Sequence, residues 1–246
     1  MTSPGRQEAD ALGELRRLAI AGVLLAIAIA VPSTFAFGAA FGGNYDAFLS
    51  TGSDLGAIVA GGHSAAVLLR WGAFGDMLYS YVLLIPLALY LRSSLRDRKP
   101  WLADLGLLAG YAYIVVGAAG AASLAFGGPP LIDAYAAALP PERVAILASF
   151  TSLRDVVIFG LWQTLDPITL GVWIASVGWL IRPDRRAVGG LLTAIGLGTV
   201  SVSLLTTLGI PGFTKIALGL GLPSLIFAVW LMTDRSAGRA RSIGRR

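Results

Sequence analysis

The chain contains no cysteine. That absence removes disulfides, thiolate metal sites and thiol nucleophiles together, and it leaves the redox compartment open. Charge is scarce as well: 13% of the 246 residues are charged, against about 25% in an average soluble domain. Histidine occurs once, as His63. One imidazole without cysteine cannot make an ordinary zinc site, and two-histidine haem ligation is excluded. There is no P-loop and no dinucleotide fingerprint. The reading is therefore of a chain with no cofactor, no metal and no catalytic residue set.

What is present is apolar. Hydrophobic residues make up 56% of the sequence and the mean hydropathy is +0.74. A chain so short of polar residues could not cover its own surface in water, so its solvent must be largely lipid. The length suits one bundle. About 20 apolar residues are needed to cross roughly 30 Å of hydrocarbon. Six stretches qualify: 18–41, 71–91, 102–126, 156–181, 188–209 and 215–232. The expected fold is an all-α, polytopic transmembrane helical bundle. Residues 1–17 form a cytoplasmic N-terminal segment, 18–232 the six-helix domain and 233–246 a basic cytoplasmic tail. The gaps 42–70 and 127–155 are too polar or too broken to span, and are expected to hold short surface helices on the outer face, the second starting at Pro140-Pro141-Glu142.

Net charge is +5 with a pI near 9.9, but the basic residues sit between apolar runs, where they set membrane orientation rather than bind nucleic acid. With the N-terminus inside, fifteen of the 19 Lys and Arg fall on the cytoplasmic side. Only Arg70, Arg143, Arg154 and Lys215 lie opposite. Acidic residues divide evenly, seven and seven, as expected when only Lys and Arg orient the chain. Both termini are thus expected in the cytoplasm, with anionic lipid headgroups as partners of the Arg clusters. Arg outnumbers Lys 17 to 2 and Ala and Gly abound, which fits a GC-rich bacterial genome and places the chain in the bacterial plasma membrane. Arg16 and Arg17 before an apolar run could also open a signal peptide ending near Ala36-Phe37-Gly38. The run is long for that, and retention as a span is expected.

Helices in lipid associate through small residues that let backbones approach. Gly22, Ala26, Ala30, Thr34 and Gly38 repeat every four residues in the first span; Gly106, Gly110, Gly117 and Ala121 mark the third, and Gly190, Ala194 and Gly198 the fifth. They imply a tight bundle, with a homodimer or larger membrane complex open. Pro32, Pro86, Pro167 and Pro223 lie inside spans. Each removes one N–H, freeing the carbonyls of Ala28, Val82, Gln163 and Gly219. The kinks could surround a cavity or simply reflect how common proline is in membrane helices. Gly42-Gly43 and Gly127-Gly128-Pro129-Pro130 read as turns.

Ionisable residues inside the membrane are costly and mark candidate sites. Asp166 leads, with Gln163 one turn earlier; Asp76 is the second. Each Asp precedes a cytoplasmic Arg, Arg92 or Arg182, by 16 residues, or roughly 24 Å of helix. Both carboxylates therefore belong to the outer part of the bilayer. There Asp166 could pair with Arg70, Arg154 or Lys215 in a structural role, or carry protons or a cation. His63 is placed with these outer-face residues, near Asp54, as a hydrogen-bonded histidine. An Arg before each Asp, Arg70 and Arg154, suggests that spans 2–3 echo spans 4–5. Ser201, Ser203, Thr206 and Thr207 of the fifth span are expected to bond back to helix carbonyls.

The segment Arg70-Trp71-Gly72 through Asp76, running into Leu87-Ala88-Leu89-Tyr90-Leu91-Arg92, resembles an uncharacterised bacterial family of six-span membrane proteins. Trp162 through Gly178, followed by Arg182-Pro183 and Gly189-Gly190-Leu191-Leu192, is similar to the same pattern. The family's His near the fourth span has no counterpart, Asp155 or Gln163 standing instead. The resemblance implies fold and location, not an activity. Three functional classes follow from the residues: a non-catalytic accessory or small-ligand/lipid-binding bundle, a small-solute or proton-coupled transporter using Asp166 and Asp76, and a membrane enzyme on lipid substrates. The missing catalytic motifs favour the first.

Overall fold

The computed structural model describes residues 4–43, 48–50 and 55–208. It is helical, with α1 (Pro4–Ala40), a four-residue α2 (Gly56–Val59), α3 (Gly62–Leu95), α4 (Pro100–Ala137), α5 (Pro140–Ile181) and α6 (Arg186–Thr207). Five of these, all but α2, are long and apolar enough to cross a membrane. The span expected at 215–232, with Pro223 and Lys215, lies outside the described residues. Large apolar side chains face outward along the helices, Phe35 at 75% and Leu108 at 67% exposure among them. Such a surface is stable only against an apolar solvent, so the protein is membrane-embedded.

The outer gaps differ from expectation. Among the described residues, Gly56–Val59 is a short separate helix, and Phe48 and Leu49 are helical as well. Residues 62–70 open α3, 127–137 continue α4 and 140–155 begin α5. His63, Asp133, Glu142 and Arg143 lower the hydropathy there without lowering the capacity to form helix, so spans and gaps fuse. Gly127-Gly128-Pro129-Pro130 likewise lies within α4 rather than in a turn. Proline disfavours helix at its predecessor partly through that residue's Cβ, and Gly128 has none. A Cβ there would also meet Leu69 Cδ2 at 2.7 Å. Gly42 and Gly43 do form a turn, with φ of 59° and 81°, values that suit glycine.

Two of the long helices change register midway. In α3 an α-helical stretch, Gly62–Asp76, passes into a π-helical one, Met77–Tyr81, and then through a 3-10 turn to Ile85–Leu95. In α5, Pro140–Asp155 passes through a ten-residue π stretch, Val156–Leu165, to Asp166–Ile181. Pro86 stands in the first turn of its resumed helix, where its missing N–H is lost anyway. Pro167 follows the π stretch directly, and the preceding Asp166 N–H bonds to Leu161 O, five residues back. The register is thus widened just ahead of Pro167.

The chain folds as two compact units. The first comprises the described parts of Met1–Leu25, Leu83–Ile114 and Pro167–Arg246. Its α5 and α6 meet backbone to backbone: a Cβ on Gly196 would lie 2.5 Å from both Ala175 N and Gly171 O, and one on Gly178 would lie 2.5 Å from Thr193 N. The contacts use Gly189 and Gly196, whereas the expected Gly190 and Gly198 face open space. The four-residue stripe read from the sequence therefore misses the contact face, which repeats every seven residues on both helices. Gly106 and Gly110 accept Ser176 and the Trp173 ring. At the helix ends Arg92 pairs with Asp104 at 2.7 Å, and Arg98 pairs with Asp184 and donates to Leu180 O at 2.7 Å. Ser201, Thr206 and Thr207 bond back to carbonyls four residues earlier, at 2.9–3.0 Å.

The second unit, Ala26–Val82 and Val115–Asp166, has an aromatic core. Phe41 stacks on Phe48 at 4.1 Å, and Phe37 meets both edge-on. Here α1 and α3 approach closely: Ser33 Oγ donates to Gly72 O at 2.6 Å, and a Cβ on Gly72 would lie 2.7 Å from Phe37 N.

Candidate functional site

The second unit contains a cavity of about 260 Å³. Ser33, Thr34, Phe37 and Gly38 of α1 form one wall, and Gly72, Asp76 and Tyr79 of α3 another; Trp162 of α5 completes it. The two glycines of the lining have opposite surroundings. Gly72 lets α3 close onto Ser33 and Phe37, while beside Gly38 there is open space where a Cβ would stand. Thr34 is exposed, so the cavity opens sideways past it. Thr34 and Gly38, read from the sequence as parts of a helix-contact stripe, instead line this space.

Asp76 is the charged residue of the wall. It is half-buried at the end of the α-helical stretch of α3 and accepts a hydrogen bond from Ser80 Oγ at 2.8 Å. Tyr79 also hydrogen-bonds with it, and Thr34 with Tyr79. The register change immediately after Asp76 brings Tyr79, Ser80 and Tyr81 to these positions. No cation lies within ion-pair distance of Asp76 among the described residues.

Asp166 lies within electrostatic reach of Asp76. It is buried at 6% exposure and accepts a hydrogen bond from the Tyr81 hydroxyl at 2.9 Å, and it does not line the cavity. The Tyr81 ring in turn lies over Gly117. The partners expected for Asp166 from the sequence are committed differently. Arg154, at 1% exposure, lies 2.9 Å from Asp155 and donates to the carbonyls of Ser50 at 2.6 Å and Phe48 at 3.3 Å. Arg70 is exposed, and Lys215 lies outside the described residues. Gln163, expected on the face of Asp166, donates to Leu49 O at 3.3 Å instead. The π register accounts for this, because residues three apart no longer stack as they do in an α-helix. His63 is exposed and sits 3.1 Å from Asp133 of α4; the Asp54 expected beside it lies outside the described residues.

The structure therefore brings Asp76 together with residues that the sequence did not mark as site candidates: Ser33, Tyr79 and Trp162. The one visible signal was local, the polar run Asp76-Met77-Leu78-Tyr79-Ser80-Tyr81 inside an apolar span. No group of three or more His, Asp or Glu is placed to hold a metal ion among the described residues.

No family model, curated protein or solved structure matches the chain. The family resemblance read from its motifs accordingly adds nothing to the reading of the site.

Proposed function

We propose that this chain is a non-catalytic, multi-pass protein of the bacterial plasma membrane whose cavity binds a small ligand. The observation that carries the reading is the cavity itself: mostly apolar walls with one carboxylate and a few hydroxyls, the composition of a small-molecule site. Six spans with both termini in the cytoplasm fit the fifteen-to-four division of Lys and Arg. In that orientation Thr34, 17 residues beyond Arg17, stands roughly 25 Å up the first helix, and the cavity opens toward the outer leaflet. A screen of small amphipathic compounds for thermal stabilisation of the purified protein tests the reading. Hits should disappear in Gly38→Leu, which fills the open space beside Gly38. Hits that persist in Gly38→Leu would refute the cavity as the site. Topology is tested separately by Asp97→Cys in the cysteine-free background, which should react with an impermeant maleimide only after the cells are opened.

A second reading, transport of a small solute or protons by Asp76 and Asp166, is favoured by one observation: each carboxylate adjoins a π-helical stretch, a feature frequent at functional sites. Solute-driven pH change in proteoliposomes, lost in Asp166→Asn while ligand binding persists, would select it over simple binding.

A further inference from the structure

We infer that the ligand of this cavity is a small organic ammonium ion with a compact apolar body, with Asp76 as its counter-ion. The inference rests on the small-ligand reading above and names the chemical class.

Three features of the wall converge. The first is charge. Among the described lining residues Asp76 is the charged one, and its partners there are the neutral hydroxyls of Ser80 and Tyr79. Hydroxyls orient a carboxylate but do not neutralise it, and a carboxylate facing an apolar space favours a cation beside it. An anionic ligand would meet repulsion, with no Lys or Arg among the described lining residues to offset it.

The second feature is the aromatic lining. Phe37 and Trp162, with ring centroids 6.3 Å apart, both border the cavity. Ring faces attract cations, and tryptophan does so best. A bare metal ion would exchange its water for few oxygen ligands here, whereas an organic cation keeps an apolar body against the rings. The third is the scarcity of further polar groups. Ser33 already donates to Gly72 O, so a sugar or other polyol would bury hydroxyls without partners. The volume, below the roughly 300–1,000 Å³ of drug-sized sites, limits the body to about one ring or a short chain.

The test uses the full-length protein in nanodiscs, with empty nanodiscs subtracted, and three probes of matched shape: 2-phenylethylammonium, 2-phenylethanol and phenylacetate. Equilibrium dialysis should show saturable binding of the ammonium, about tenfold or more weaker binding of the alcohol, and none of the carboxylate. Asp76→Asn should reduce the ammonium to the level of the alcohol without altering the alcohol, and Asp76→Glu should retain the preference. Alcohol binding as tight as the ammonium, or an ammonium affinity unchanged in Asp76→Asn, would overturn the assignment. In that case binding abolished by Gly38→Leu would leave the small-ligand cavity standing. Saturable binding of none of the three would overturn both. If Asp76→Asn does not fold, the preference of the unmodified protein for ammonium over alcohol decides the matter, and its absence refutes the inference.

Discussion

Gly196 and Gly198 lie two residues apart on α6 and should respond to the same substitution with opposite signs. A Cβ on Gly196 would sit 2.5 Å from Ala175 N and Gly171 O and 2.8 Å from Ala175 Cβ, where ordinary contact begins at 3.4 Å. All three atoms belong to the backbone or to a Cβ, so no side chain can swing away. The helices must instead part locally by about 0.9 Å, and overpacking of this kind costs about 1–3 kcal/mol. Around Gly198 nothing lies within 4 Å of the added carbon, so Gly198→Ala meets no clash and should gain about 0.5–1 kcal/mol from reduced backbone freedom. The expected gap between the two variants is thus about 1.5–4 kcal/mol. Reversible unfolding of the purified protein in mixed micelles, followed by far-ultraviolet circular dichroism, measures it. Gly189→Ala and Gly190→Ala form a second matched pair, since a Cβ on Gly189 would meet Arg182 Cα at 2.5 Å and one on Gly190 would meet nothing. Equal effects within a pair, or a reversal favouring alanine at 189 and 196, would refute the packing and restore the stripe of Gly190, Ala194 and Gly198.

Two further predictions concern buried polar groups. Asp166→Asn should stay within about 1 kcal/mol of the parent, because an amide oxygen still accepts from Tyr81; Tyr81→Phe should cost about 1–3 kcal/mol by withdrawing that donor. The same unfolding assay, with the double variant added, checks whether the two effects are coupled. Arg154→Met should cost about 1–3 kcal/mol, since the carbonyls of Phe48 and Ser50 lose their donor, and hydrogen exchange should accelerate at Leu49 and Ser50; unchanged exchange there would show that Arg154 does not secure this stretch.

The membrane-length helices were legible because hydropathy is a property of the chain alone, and each apolar run from 18 to 207 lies within a long helix. Where the helices end was not legible. His63 and Asp133 look like interruptions one at a time, yet both lie within helices and pair between α3 and α4. The glycine contacts were half legible: the residue type announced close packing, but the choice between Gly189 and Gly190 depends on the facing helix. The site was legible only as a pair of carboxylates. Asp76 and Asp166 each stand 16 residues before an arginine, Arg92 and Arg182, so position along the helix could not rank them. What separates them is a neighbour, Tyr81 against one and open volume beside the other, and both depend on register changes that leave no mark in composition.

The ten-residue π stretch of α5 also bears on which length changes the chain can absorb. In a regular α-helix the loss of one residue rotates everything beyond it by about 100°. Within α6, such a deletion ahead of Gly196 would turn that glycine away from Gly171 and Ala175. A π stretch holds surplus residues per turn, and π-bulges amount to insertions within an α-helix. A single-residue deletion between Val156 and Leu165 can therefore tighten the local register toward an ordinary α-helix instead of rotating its far end. Insertions and deletions along α5 should concentrate in that window, with Arg154 on one side and Asp166 on the other keeping their neighbours.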